Sequence, residues 1–200
     1  MINILLIVCY NKLCVFGLKH YLNETYETTA RISSMSHAII TSLLSILFLY
    51  NIIDFSIYKY SVWYNVIYIV TDIYLFLSRK IPTNNIIPFM IHHILFIMAS
   101  YVSPTVPTYY ARGVLAEIST IFLNCLWFSK QKKFYFSNIK LYHILLWVNF
   151  LIFRIINYNL LVYDIYNTKY NKYAIIGTPL LILNNGWFYM LTRKIKSLYY

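Results

Sequence analysis

His92 and His93 stand side by side near the middle of Ile86–Ser103, IIPFMIHHILFIMASYVS, an apolar run long enough to cross a bilayer. An imidazole titrates near neutrality, so it can take up or release a proton or act as a nucleophile, and it can equally serve as a plain hydrogen-bonding group. Ionisable rings at hydrocarbon depth are costly and usually face a bundle interior or a water-filled cavity. Adjacent helical positions lie about 100° apart, so one ring can face such a cavity while the other braces it. That geometry argues against metal chelation, for which a helix offers histidines at i and i+4. Asp72, Glu117 and Arg154 also lie within apolar runs. A carboxylate at that depth is protonated or paired, and Arg154 needs an anion: Asp72, Glu117, or a bound phosphate or carboxylate.

About seven apolar segments present these side chains. Met1–Leu18, interrupted by Asn11 and Lys12, reads as a first helix, and residues 19–35 as a polar connection. Ser36–Ile53 is the second span, with His37 and Thr41 one turn apart on one face and His37 near the interface. In Val62–Leu77, the residues Asn65, Tyr68 and Asp72 form one polar stripe that must face protein. Ile86–Ser103 carries Pro88 in its first turn, and Pro104 and Pro107 close it. Tyr109–Phe128 repeats the stripe with Glu117, Thr120 and Asn124. Leu141–Tyr163 aligns His143, Arg154 and Asn157 within about 40° around the helix axis. The last span, Tyr173–Thr192, contains Pro179 and a break at Asn184–Asn185–Gly186.

Composition sets the class. Of 200 residues, 60% are hydrophobic and only 12% charged, which excludes an ordinary soluble domain. The segments between apolar runs are too short for a separate catalytic domain. The net charge of +11 does not mark a nucleic-acid binder, because the basic residues sit at helix ends instead of forming an aromatic-interleaved patch. There they report topology. One set of connections holds 11 of them (Lys19, Arg31, Arg79, Lys80, Lys130, Lys132, Lys133, Lys140, Arg193, Lys194, Lys196) and the other holds 3 (Lys59, Lys169, Lys172). The positive-inside rule then puts the C-terminus in the cytosol and the N-terminus on the lumenal or extracellular side. Cys9, Cys14 and Cys125 have no spacing that suggests a disulfide framework or a zinc site.

Four segments in order resemble a known family: Arg31-Ile32-Ser33-Ser34-Met35-Ser36-His37-Ala38, then Asp72, then His92–His93, then Glu117-Ile118-Ser119-Thr120-Ile121-Phe122-Leu123-Asn124 with Trp127. Together they are similar to the TLC (TRAM–LAG1–CLN8) domain, closest to its small TLC-domain-only transmembrane proteins, over roughly Arg31 to Lys196. The resemblance implies an all-α polytopic bundle of about seven transmembrane helices, six of them around a lipid-accessible cavity faced by the histidine pair. It divides the chain into an N-terminal helix and connection, residues 1–30, and a TLC-like membrane domain, residues 31–200. It also implies the endoplasmic reticulum, membrane lipids as partners, and no nucleic acid, with a homo-oligomer left open. In the ceramide synthase branch, the histidine pair belongs to a site moving a fatty acyl group from coenzyme A to a sphingoid amine. That branch carries a further His–Asp motif, where this chain offers Glu117.

Two kinds of function follow. In an acyltransferase, His92 and His93 would serve as base or nucleophile, Asp72 and Glu117 would orient them, and acyl-coenzyme A would be the substrate. In a lipid-handling protein without turnover, the same groups would hydrogen-bond a lipid inside a cavity. Arg154, Asn124, Asn157 and His37 are the candidate lipid or anion contacts, and Phe89, Phe96, Phe122 and Phe150 the candidate walls. No metal or other cofactor is expected, since one histidine pair and three scattered histidines do not make the shell an iron oxygenase needs.

Overall fold

The computed structural model describes residues 25–78, 86–131 and 138–199, so the first apolar segment, Met1–Leu18, lies outside the described residues. These residues are helical throughout apart from short connections, with no strand among them. The helices are α1 (Tyr26–Leu49), α2 (Phe55–Leu77), α3 (Ile86–Val102), α4 (Pro107–Val114), α5 (Ile118–Lys130), α6 (Ile139–Asn149), α7 (Asn157–Tyr166) and α8 (Ala174–Tyr199). A 3₁₀ turn, Leu115–Glu117, joins α4 to α5, and a π-helical segment, Phe150–Ile156, joins α6 to α7. The described residues thus make six rods, five of them long and apolar enough to cross a membrane. The sixth, α3, has 17 residues, about 25 Å at 1.5 Å per residue, against a hydrocarbon core of about 30 Å.

Local signals set the helix starts. The Thr25 side chain accepts from the Thr28 N–H at α1, Asp54 from Ile57 at α2 and Asn138 from Leu141 at α6, while Pro107 opens α4, where its missing N–H costs least. The Ser56 hydroxyl and the Ile57 N–H also hold the exposed Asp54 carboxyl below its ordinary range. Asn51, at φ 58°, takes the left-handed conformation that turns α1 into α2.

Two features correct the sequence reading. Helix α1 begins at Tyr26, so it reaches back through Arg31 into the segment read as a polar connection. Its polar residues are not solvated there: Thr28, Thr29 and Ser33 are buried against other helices. Helix α8 runs unbroken through Asn184–Asn185–Gly186, because Asn184 is buried and bonded to Arg154 while Asn185 returns its side-chain N–H to the Leu181 carbonyl.

The rods close into a ring: α1 packs on α2, α2 on α3, α3 on α8, α8 on α6 and α7, and these on α5 and α4, which return to α1. Apolar layers seal the ring at two levels. Tyr58, Val62, Phe96, Tyr110 and Val114 pack toward one end, and Leu126, Leu146 and Phe150 pack with Trp187, Phe188 and Leu191 toward the other. A side chain at Gly177 would put its Cβ 3.1 Å from Val162, so glycine there sets the close approach of α8 to α7.

Tyr58 is fully buried, stacks on Phe48 and shares a 2.9 Å hydrogen bond with Ser45. Tyr58→Phe removes that bond and leaves the Ser45 hydroxyl unsatisfied away from water. It should cost about 1–3 kcal/mol in thermal unfolding of the detergent-solubilised protein, and adding Ser45→Ala should recover part of the loss.

Candidate functional site

The ring surrounds a cavity of about 430 Å³ lined from all six rods. Apolar walls come from Ile69, Phe76, Phe89, Phe96, Leu123, Leu146, Phe150, Trp187 and Leu191. Phe122, expected among them, instead packs in the layer around Leu126 and Leu146. The polar lining gathers His37, Asp72, His92, His93, Glu117, Asn124 and Arg154. The folded chain therefore brings together every candidate catalytic, lipid-contact or anion-contact residue except Asn157.

Two ion pairs account for the charges. Asp72 Oδ2 lies 3.1 Å from His93 Nε2, both side chains almost fully buried, and the Tyr68 hydroxyl donates to the same carboxylate oxygen at 3.5 Å. His93 Nδ1 lies 2.9 Å from the Phe89 carbonyl. Each ring nitrogen thus faces an oxygen: Nδ1–H donates to the carbonyl, and one further proton is shared between Nε2 and the carboxylate. His93 has no nitrogen left for a ligand. On the other side, Arg154 Nη2 sits 3.6 Å from Glu117 Oε1. Its remaining N–H groups are spread over neutral acceptors, with Nε donating to Ser119 Oγ at 2.7 Å and to the Ala116 carbonyl, Nη2 to Thr120 and Nη1 to Asn184.

Unwound backbone places this second pair. Glu117 belongs to the 3₁₀ turn and Arg154 to the π-helical segment. A π-helical turn adds a residue and shifts the phase of everything after it. That is why Arg154 faces the cavity while Asn157, expected on the same face, points elsewhere and donates to the Arg112 carbonyl at 2.9 Å. Ser119 and Thr120 are not evident from sequence as Arg154 partners because their faces follow the 3₁₀ turn, and Asn184 is not because it reads as part of a helix break; Thr120 alone carries a signal, as a member of the Glu117 stripe.

His92 differs from its neighbour. Its ring stands edge-on to Trp187 at 5.6 Å, and its buried Nδ1 has no hydrogen-bond partner. His37 lies at mid-helix, not near the interface: it is 2% exposed, stacks on Tyr68 at 3.9 Å and donates from Nε2 to Asn65 Oδ1 at 2.6 Å. Asn65 in turn donates to the Tyr110 hydroxyl, which bonds Ser100. His37 Nδ1 is left without a partner, as is Asn124 Oδ1, whose amide N–H donates to Ser34. At the end of the cavity beside the start of α1, Glu27 accepts from Trp127 Nε1 at 2.9 Å and pairs with Arg31, which lies over the Trp127 ring. Among the described residues, no cluster of His, Cys, Asp or Glu has the makings of a metal site.

A ring of helices, five of them long and apolar enough to cross a membrane, defines a multi-pass membrane protein. Residues 7–193 match the family model for the TLC domain (TRAM_LAG1_CLN8), so the chain belongs to that family. The match begins inside the first apolar segment. No curated protein and no solved structure matches the chain.

Removing one member of the Glu117–Arg154 pair strands the other in a nearly dry site. Arg154→Met should lower stability by about 3–5 kcal/mol, and Arg154→Met combined with Glu117→Gln should restore most of it. Thermal unfolding of the four proteins of this cycle in one detergent measures both effects; equal losses in the single and double variants would show that the pair is not coupled.

Proposed function

We propose that the chain handles a membrane lipid, holding its polar part inside the ring at the level of His92 without needing to turn it over. The pairing pattern carries this reading. Asp72 is paired with His93 and Glu117 with Arg154, so the charges of the lining have countercharges, and the buried groups of the lining left without a hydrogen bond are neutral: His37 Nδ1, His92 Nδ1 and Asn124 Oδ1. Asn124 Oδ1 is an acceptor, and so is His37 Nδ1 once Nε2 carries the proton. They call for a donor such as a lipid hydroxyl or amide N–H, not for a phosphate. The cavity volume falls within the usual range for small-ligand sites, about 300–1,000 Å³, and its walls are aromatic and aliphatic enough for an acyl chain.

A second reading, acyl transfer from acyl-coenzyme A to an amine, is favoured by one contact, the carboxylate–imidazole pair of Asp72 and His93. The nucleophile or base would then be His92, since both nitrogens of His93 are occupied. His92 has no carboxylate partner of its own, and this favours the binding reading.

In the proposed arrangement Met1–Leu18 adds a seventh helix, the cavity is reached from the bilayer, and the protein resides in the endoplasmic reticulum. The excess of basic residues at one end puts the C-terminus in the cytosol and the N-terminus in the lumen. A tag after Tyr200 should be reachable when only the plasma membrane is permeabilised, and a glycosylation acceptor between Pro104 and Pro107 should be modified. Modification of an acceptor placed at Gln131 would reverse the orientation.

Lipid analysis of cells and of purified protein tests the binding reading. His92→Ala with His93→Ala should strip the co-purifying lipid, whereas Glu117→Gln, although it lowers stability by stranding Arg154, should leave the lipid on the protein that stays folded, because the amide still hydrogen-bonds but cannot move a proton. Purified protein that acylates an amine from acyl-coenzyme A, and stops when the histidine pair is lost, would establish the second reading instead.

A further inference from the structure

Hydrogen bonds between side chains tie α1 to α2 (His37–Asn65, Ser45–Tyr58), α2 to α3 (Asp72–His93), and the α4–α5 rod to α1 (Asn124–Ser34, Trp127–Glu27). Arg112 and Arg154 tie the α4–α5 rod to the α6–α7 rod, while Thr192 and Thr178 of α8 bond Trp147 of α6 and Tyr166 of α7. One joint of the ring is different. The side chains of α3 bond within that helix or to α2 and α4, and those of α8 bond within that helix or to α6, α7 and Arg154. Among the described residues, no hydrogen bond or ion pair joins α3 to α8. The two meet through rings and apolar side chains: His92 stands edge-on to Trp187, and Leu95 and Leu181 pack on one cluster around Leu161.

In a bilayer this difference decides where the ring can part. Apolar helix faces gain little by meeting each other there, since lipid tails are as apolar as leucine, whereas a hydrogen bond pulled apart at that depth finds no water. Parting α3 from α8 costs packing alone. The same two helices also line the interior: His92 and Phe96 of α3 and Trp187 and Leu191 of α8 face the central cavity. A second cavity, of about 70 Å³, runs along this joint between Phe96 and Ala99 of α3 and Gly177 and Leu180 of α8, and His92 lines both cavities. On the outer side, Ile94 and Met98 of α3 and Ile182 of α8 are exposed. Helix α8 is also weakened near the joint, because Pro179 lies inside it and offers no N–H to the Ile175 carbonyl.

We propose that the joint between α3 and α8 is a lateral portal, through which the hydrocarbon chain of a bilayer lipid passes between the membrane and the two cavities, with the His92–Trp187 contact as its latch. This rests on the lipid-binding reading and adds the route to it. The chain slides between two apolar helix faces, and the other joints stay closed on their hydrogen bonds. Pro179 lets α8 bend away from α3 while its later turns remain held by Arg154 and Trp147.

The test uses the full chain in vesicles of dioleoyl phosphatidylcholine, with Cys9, Cys14 and Cys125 replaced by Ser and with Leu95→Cys and Leu181→Cys. A bifunctional methanethiosulfonate bridges the two thiols after folding. Deuterated dioleoylglycerol, a neutral lipid with a free hydroxyl, is then added, and mass spectrometry of the extracted protein follows its uptake. The bridge should slow uptake about tenfold or more, and reducing it should restore the rate. A bridge between Tyr166→Cys and Thr178→Cys, which touch across α7 and α8, should leave the rate unchanged. The same rate in bridged and reduced protein would overturn the portal alone, and so would equal slowing by the α7–α8 bridge. No uptake by the unbridged protein at equilibrium would overturn the binding reading and the portal with it. Should the Leu95→Cys, Leu181→Cys chain fail to fold, Pro179→Ala carries the test: restoring the N–H should stiffen α8 and slow uptake about threefold, and an unchanged rate would overturn the portal.

Discussion

A charge inside a bilayer has no water to fall back on, and the arrangement of this protein follows from meeting that constraint with very few acids. Asp72 and Glu117 are spent on His93 and Arg154, on opposite sides of one cavity. Neither pair could form within one helix, so α2 is tied to α3 and the α4–α5 rod to the α6–α7 rod. The ring closes where its charges meet. The guanidinium shows how incomplete the ion pair alone would be. At 3.6 Å, Glu117 takes up only part of the demand of Arg154, and two hydroxyls, an amide oxygen and a backbone carbonyl take up the rest. Buried pairs of this kind hold together only when further hydrogen bonds satisfy both partners.

This constraint also bears on the irregular backbone. A carbonyl in regular helix gives one lone pair to the i+4 N–H and can give the other to a side chain of its own helix, as the Phe89 carbonyl does to His93. The Ala116 carbonyl, in the 3₁₀ turn at Leu115–Glu117, accepts across the bundle as well, from Arg154 of another rod beside Ser119 of its own. The π-helical segment at Phe150–Ile156 carries Arg154, whose head reaches from that rod to the Ala116 turn of the other. Unwound helix at membrane depth is tolerated where other parts of the protein satisfy the freed groups.

The sequence was legible wherever regular periodicity held. The stripes Asn65–Tyr68–Asp72 and Glu117–Thr120–Asn124 turn inward as their spacing requires, and the histidine pair meets the cavity. Legibility failed at phase shifts and at polar residues with distant partners. Asn157 was misplaced because the π-helical turn before it is invisible in residue types. The polar start of α1 looked like a connection because the burial of Thr28, Thr29 and Ser33 comes from helices distant in sequence. His37 seemed interfacial for the same reason: its partner, Asn65, comes from another helix 28 positions along the chain. Phe122 shows the opposite error, in which an apolar residue on a helix facing the cavity packs between helices.

The adjacency of His92 and His93 finds its reason in the ring. Helix α3 is short, and it touches α2 on one side and α8 on the other. His93 reaches Asp72 of α2, while His92 stands against Trp187 of α8. Successive residues on a helix diverge by about 100°, close to the angle that two neighbours subtend from a member of a six-membered ring. Two histidines spaced i and i+4 would both point at one neighbour. Side by side, they divide the tasks: one is held by a carboxylate and a carbonyl and fixes α3 in place, and the other keeps a free nitrogen at the cavity wall. The fixed ring sets the rotation of α3 about its own axis, and so determines where the free one lies. A polar pair that looks redundant in sequence therefore combines an anchor and a contact, and α3, too short to be held by length alone, depends on the anchor.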